Sequence, residues 1–268
     1  MIKYLVALLV LVGLGAGLYW FGALAQNAPE GPAGASDYKS ATFLIEGEEV
    51  TLVNGKAETE ASPGSASKTV TEYFGNEAKG DVNDDGIPDL AFLLTQTRGG
   101  SGTFYYVVVA LQTPAGGYIG TNAILLGDRI APQTTEIRHT ILVVNYADRK
   151  SGEPMTAQPS EGITKYIYFA RGGLIDVPQP GPIVIRGVMV CLPHNDTSGP
   201  QTMECAFGLK DETGRYFALK DTDPEHKNIS GVPANERIEI EGDFKLQLGS
   251  KYQDIGVIEV TKITKVGE

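Results

Sequence analysis

Two neighbouring runs constrain this chain more than anything else in it. Residues 90–97 (LAFLLTQT) and 103–111 (TFYYVVVAL) are rich in β-branched and aromatic residues and almost continuously apolar. That character suits central strands buried on both faces of a sheet. Between them lies Arg98-Gly99-Gly100-Ser101-Gly102. A phosphate-binding loop needs a helix after it, and a strand comes next here, so the segment reads as a hairpin loop. The same style continues along the chain, with 33 Gly and 15 Pro punctuating short apolar runs. Such punctuation points to β-structure rather than a helix bundle.

Composition narrows the function classes. With 42% apolar and 21% charged residues, the chain can build a packed core and is not a disordered acidic tail. A net charge of −11 without clustered Lys or Arg excludes a nucleic-acid binder, because phosphate contacts need local positive charge. Two Cys and three His are too few for a disulfide scaffold or a Cys-rich zinc module. No Ser, Cys or Thr sits in a nucleophile-elbow context, and no metalloprotease helix motif is present. The chain therefore reads as a binding or structural module rather than an enzyme.

The amino terminus sets the expected compartment. Lys3 precedes residues 4–25, YLVALLVLVGLGAGLYWFGALA, which carry no charge. As a helix this stretch would span roughly 33 Å, against about 30 Å for a bilayer core. Tyr19-Trp20-Phe21 resembles an interfacial anchor, and Lys3 before the run places the rest of the chain outside the cytoplasm. Ala23-Leu24-Ala25 also has the form of a signal-peptide cleavage site. Residues 1–25 are thus a transmembrane anchor or a signal peptide. Both readings export the remainder of the chain to the periplasm or cell surface, the anchor leaving it attached to the membrane.

Residues 26–37 read as a Pro/Gly/Ala linker. Residues 38–176 read as a β-rich domain, with α+β as the alternative because residues 65–74 fit either a strand or one short helix. Glu46-Gly47-Glu48-Glu49 and Asn54-Gly55 mark turns between its first strands. Further strands are expected at 123–126, 137–146 and 164–169. Asp128-Arg129 and Asp148-Arg149 read as solvated surface charges. Residues 177–182, VPQPGP, form a second Pro-rich break. Residues 183–268 then suggest a small barrel of about five strands. Residues 237–246, RIEIEGDFKL, alternate apolar and charged with Gly242 in mid-strand, where a strong bend or bulge needs glycine. The order and spacing resemble an OB-fold barrel at the level of pattern. Such a barrel would bind a protein, peptide or glycan.

The sharpest chemical motif is residues 80–90, GDVNDDGIPDL. Asp81, Asn83 and Asp85 alternate, Gly86 allows a sharp turn, Ile87 offers a carbonyl, and Asp89 closes the ladder. Ca²⁺ takes six to eight oxygen ligands at about 2.3–2.6 Å, and alternate residues of a tight loop can supply them. An EF-hand would need Glu where Phe92 stands, followed by a helix. The segment instead resembles the calcium loop of FG-GAP repeats, in which the same ladder runs directly into a hydrophobic strand. It is present in one copy, so the resemblance implies the loop and its structural Ca²⁺, not a propeller. The layout also resembles exported bacterial proteins that carry one aspartate-rich loop and have no assigned activity.

Cys191 and Cys205 flank residues 192–204, between two expected strands. In an exported chain the default for such a pair is a disulfide. The alternative is a soft-metal hairpin in which Cys191, His194, Met203 and Cys205 hold copper or serve redox chemistry. An extracytoplasmic hydrolase using unrecognised carboxylates is the remaining enzymatic alternative.

Overall fold

The computed structural model describes residues 34–62, 64–195, 205–247 and 251–267. The expected anchor or signal segment, most of the linker and Met203 lie outside the described residues. Among the described residues no helix is long and apolar enough to cross a membrane. The fold is mainly β, and its one described helical stretch is a 3-10 turn at Tyr38–Ser40. The chain divides into two compact units between Ile130 and Ala131. The Pro-rich break at 177–182 therefore falls inside the second unit.

Among the described residues the first unit holds eight strands. They are β1 (Thr42–Ile45), β2 (Glu48–Thr51), β3 (Lys56–Glu60), β4 (Lys68–Gly80), β5 (Asp89–Arg98), β6 (Phe104–Gln112), β7 (Tyr118–Gly120) and β8 (Ile124–Asp128). β1 and β2 form a hairpin, turned at Glu46 (φ 52°) and Gly47 (φ 89°). The main sheet runs β3-β4-β5-β6-β7, with β8 also paired to β6. β5 and β6 are its centre. Phe92, Leu93 and Leu94 are fully buried, as are Val107, Val108 and Val109, so successive residues are covered on both faces. One face packs Phe92, Leu94, Tyr106 and Val108 against Phe43 and Leu52. The ambiguous stretch at 65–74 is the approach to β4 and its first half, not a helix. β4 slips register around Gly75, a bulged strand that bends as it approaches the aspartate-rich loop.

Among the described residues the second unit contains nine strands. A meander of β9 (Ala131–Arg138), β10 (Ile141–Asp148), β11 (Glu161–Ala170) and β12 (Gly173–Val177) is antiparallel throughout. Residues 137–146, expected as one strand, are two, with His139 (φ 58°) in the turn between them. That turn carries none of the Gly, Asn or Pro markers that betray others, so periodicity alone ran through it. Arg149 is also not the solvated charge expected, since its side chain is only 9% exposed.

After Pro178-Gln179-Pro180 come β13 (Gly181–Cys191), β14 (Phe207–Asp211), β15 (Tyr216–Asp221), β16 (Arg237–Lys245) and β17 (Asp254–Lys265). They close into a barrel in the order β13-β14-β15-β17-β16. Only the β15–β17 pair is parallel. Met189, Leu209, Phe217, Ile240, Phe244 and Ile258 fill the interior, joined by Tyr168 and Val177 of the meander. Ile238, Ile240 and Phe244 point inward along β16, matching the alternation in the sequence. Gly242 marks a register slip against β17, and a Cβ there would lie 2.5 Å from the Glu259 carbonyl oxygen. The mid-strand glycine is required by the close approach of two backbones.

Candidate functional site

The aspartate-rich loop joins β4 to β5. Asp84 (φ 61°) and Gly86 (φ 83°) supply the two left-handed residues that fold it tightly. Its side chains organise the turn from within. Asp81 accepts from the Gly86 N–H at 2.8 Å and the Asp85 N–H at 3.2 Å. Asp85 accepts from the Ile87 N–H at 2.8 Å and from the Asn83 amide at 2.9 Å. Asp89 is fully buried. One of its oxygens accepts from the Val82 N–H at 3.0 Å, the other from the Gln112 N–H at 2.9 Å at the end of β6. Burial pushes the Asp89 carboxyl above its ordinary range, the two N–H groups pull the other way, and the charges of Asp85 and Asp81 add to the rise.

The five expected ligands thus sit on one short loop, and the donor set is all oxygen. That chemistry suits a hard cation such as Ca²⁺ rather than a soft one. The Asp81 and Asp85 carboxylates are turned to the loop's own main chain. Among the described residues no three His, Cys, Asp or Glu side chains are gathered as a metal-holding group.

A second feature was not legible in the sequence. On the barrel, a groove of about 690 Å³ lies over β14 and β15. Its apolar wall includes Leu192, Phe207, Leu219, Ile229 and Tyr252. Phe207 is 46% exposed, unusual for so large an apolar side chain. Among the described residues its lining includes Leu192 and Ala206 from the β13–β14 connection, His226, Ile229 and Ser230 from β15–β16, and Gln247 and Tyr252 from β16–β17. The first is closed by a disulfide between Cys191 and Cys205, whose Cα atoms are 5.1 Å apart. Leu192 donates its N–H to the Ala206 carbonyl at 2.9 Å and lies across Gly208, where any Cβ would collide with it. The two ends of that connection are therefore held together.

The disulfide decides the fate of the soft-metal hairpin. With Cys191 bonded to Cys205, neither sulfur is a thiolate that could bind copper. His194 instead joins a short ladder to residues 251–253. Asn195 N–H donates to Lys251, Gln253 N–H donates to Pro193, and the His194 ring lies 4.8 Å from that of Tyr252. A disulfide also points to an oxidising environment outside the cytoplasm.

The 222–236 connection is ordered by Asp221, which accepts from the Asp223 and Ile229 N–H groups and the Asn228 amide. Comparison with protein families, curated proteins and solved structures yields no match.

Proposed function

We propose that this chain is an extracytoplasmic binding module without catalytic chemistry, tethered at the membrane by its amino-terminal segment. In this reading the barrel groove takes the ligand and the aspartate-rich loop holds a structural Ca²⁺ ion. The observation that carries it is the position of the groove. The strand order and single parallel pair resemble an OB-fold barrel, whose second and third strands and flanking loops form its binding face. The groove lies over the corresponding strands, β14 and β15, bounded by the corresponding connections. A volume of about 690 Å³ falls within the range of small-molecule sites, about 300–1,000 Å³.

The calcium reading rests on the resemblance to FG-GAP loops and on Asp89. Asp81, Asn83, Asp85 and Asp89 would supply side-chain oxygens and Ile87 its carbonyl. A cation there would offset the penalty that burial and two neighbouring carboxylates place on the charged form of Asp89. Its role would be to pin the loop to β5, since weak sites are useful at millimolar extracellular calcium.

Fragment mapping tests the groove. Phenol and isopropanol titrated into the isotopically labelled chain should first move the amide resonances of Phe207, Ala218, Leu219 and Tyr252. Shifts scattered over the surface, with none clustered at these residues, would refute the site.

A further inference from the structure

Arg186, Lys210 and Arg237 stand far apart in the sequence and meet on one face of the barrel. We propose that they form a site for a small oxyanion, separate from the groove and sharing none of its lining residues. Strand register makes the cluster. Val188 on β13 is paired with Arg237 on β16 and with Lys210 on β14. Residues opposed across strands project to the same face, so the two cations flank Val188 on either side. Arg186 lies two residues before Val188 on β13 and shares that face. At Gly187, β13 takes up its pairing with β14 while still paired with β16. A Cβ there would lie 2.3 Å from the Lys210 carbonyl oxygen, so the close approach of these strands needs glycine.

The same three cations line a cavity of about 150 Å³, together with the apolar Val188, Ile238 and Val266. That volume suits an anion of a few heavy atoms, since sites for larger ligands run to about 300–1,000 Å³. Arg186 is paired with Glu239 at 2.6 Å. Among the described residues, Arg237 and Lys210 have no carboxylate at ion-pair distance. The Lys210 ammonium lies instead 5.5 Å from the ring centroid of Tyr216, its partner on β15, which holds the side chain over the sheet. Two carboxylates also line the cavity. Asp211 is engaged by Arg215 Nε at 2.8 Å and by the Thr213 hydroxyl at 2.8 Å. Glu212 is exposed at the turn after β14, and its charge opposes an anion and limits the affinity. An oxyanion between Arg237 and Lys210 would replace lost hydration with charged donors. The guanidinium offers a planar fork for two oxygens and the ammonium a point charge. Three cations suffice for one small anion, not for the row of phosphates in a nucleic acid.

The test titrates the isotopically labelled full chain with inorganic phosphate, with butyrate and with uncharged butanol. Phosphate or butyrate should shift the amide resonances of Gly187, Val188, Lys210 and Ile238 along one saturable curve, and butanol should not. Tighter binding of butyrate assigns the site to an organic carboxylate, whose stem meets the apolar wall. Tighter binding of phosphate assigns it to a free inorganic oxyanion. Arg237→Gln and Lys210→Gln should each weaken the anion about threefold or more, and Glu212→Gln should tighten it about twofold. All three side chains are exposed, so the melting temperature should be retained. Raising salt from about 0.05 to 0.5 M should weaken binding severalfold. Shifts that fail to saturate, scatter over the surface or persist unchanged in both cation variants would mean an adventitious ion only and overturn the site. Butanol binding as tightly as butyrate would overturn the requirement for charge, and the proposal with it. None of these outcomes bears on the groove, which is read at Phe207, Ala218, Leu219 and Tyr252.

Discussion

Asp211 ends β14, and its removal would report how tightly the barrel's second hairpin is tied. Its side chain is 5% exposed. It accepts four hydrogen bonds: from the Thr213 N–H at 3.0 Å and hydroxyl at 2.8 Å, and from the Arg215 N–H and Nε, both at 2.8 Å. Each hydrogen bond to a charged group contributes about 1.5–3 kcal/mol, but the four share one carboxylate and are not additive. Arg215 is about a third exposed and would recover water once freed, which reduces the loss. Asp211→Ala should therefore destabilise the chain by about 3 kcal/mol. Asp211→Asn keeps an oxygen for the two main-chain N–H groups but loses the ion pair and turns an amide N–H toward Arg215 Nε–H, at about 1–2 kcal/mol.

Acid adds a second signature. Burial raises the Asp211 pKa, but the hydrogen bonds from Thr213 and Arg215 outweigh it, so the folded value lies below the ordinary one. The unfolded chain then binds more protons as pH falls, and the stabilisation is complete only above the unfolded pKa of about 3.9. The gap between wild type and Asp211→Asn should hold at neutral pH and shrink as pH falls through the folded pKa. Urea denaturation across pH measures both. An Ala variant costing less than about 1 kcal/mol, or an Asn gap that does not shrink in acid, would refute the account.

Three further outcomes are expected from the same geometry. Calcium at ten times its Kd should stabilise the chain by about 1.4 kcal/mol, and the increment should vanish on chelation and in Asp81→Ala. Calorimetry with and without calcium reads it, and an increment retained in that variant would point to another site. Replacing Cys191 and Cys205 by Ser opens a connection of sequence separation 14, with an expected loss of about 3 kcal/mol in urea. That loss should match the effect of reductant on wild type. Gly242→Val would place Cβ 2.5 Å from the Glu259 carbonyl oxygen and 2.8 Å from Ile258 Cγ2, so backbone must move. A loss of at least about 2 kcal/mol is expected by thermal melting, and a neutral variant would mean β16 and β17 are less closely apposed.

Most of the strand content was legible because strands leave a local record. The continuous apolar character of residues 90–97 and 103–111 matches β5 and β6, and Glu46-Gly47 and Asn54-Gly55 stand where the chain reverses. Gly242 was legible for the same reason, as a glycine where alternation demanded a side chain. The ladder from Asp81 to Asp89 could be read as a loop running into a strand, because its acceptors bond to N–H groups a few residues away.

What local pattern could not carry was anything decided by partners distant in sequence. The His139 turn has no compositional marker, so two strands read as one. Asp89 becomes a buried carboxylate only because Gln112, at the end of another strand, approaches it. Arg149 looks like any surface arginine until the second unit folds around it. The groove is the extreme case. Leu192, Phe207, Ile229 and Tyr252 each look like ordinary strand or loop residues. Barrel closure and the disulfide bring them to one face. Sequence alone determined the strands, their turns and the acidic loop, because those depend on near neighbours and side-chain period. Tertiary structure alone decided the groove, because a concave surface is made by which strands meet.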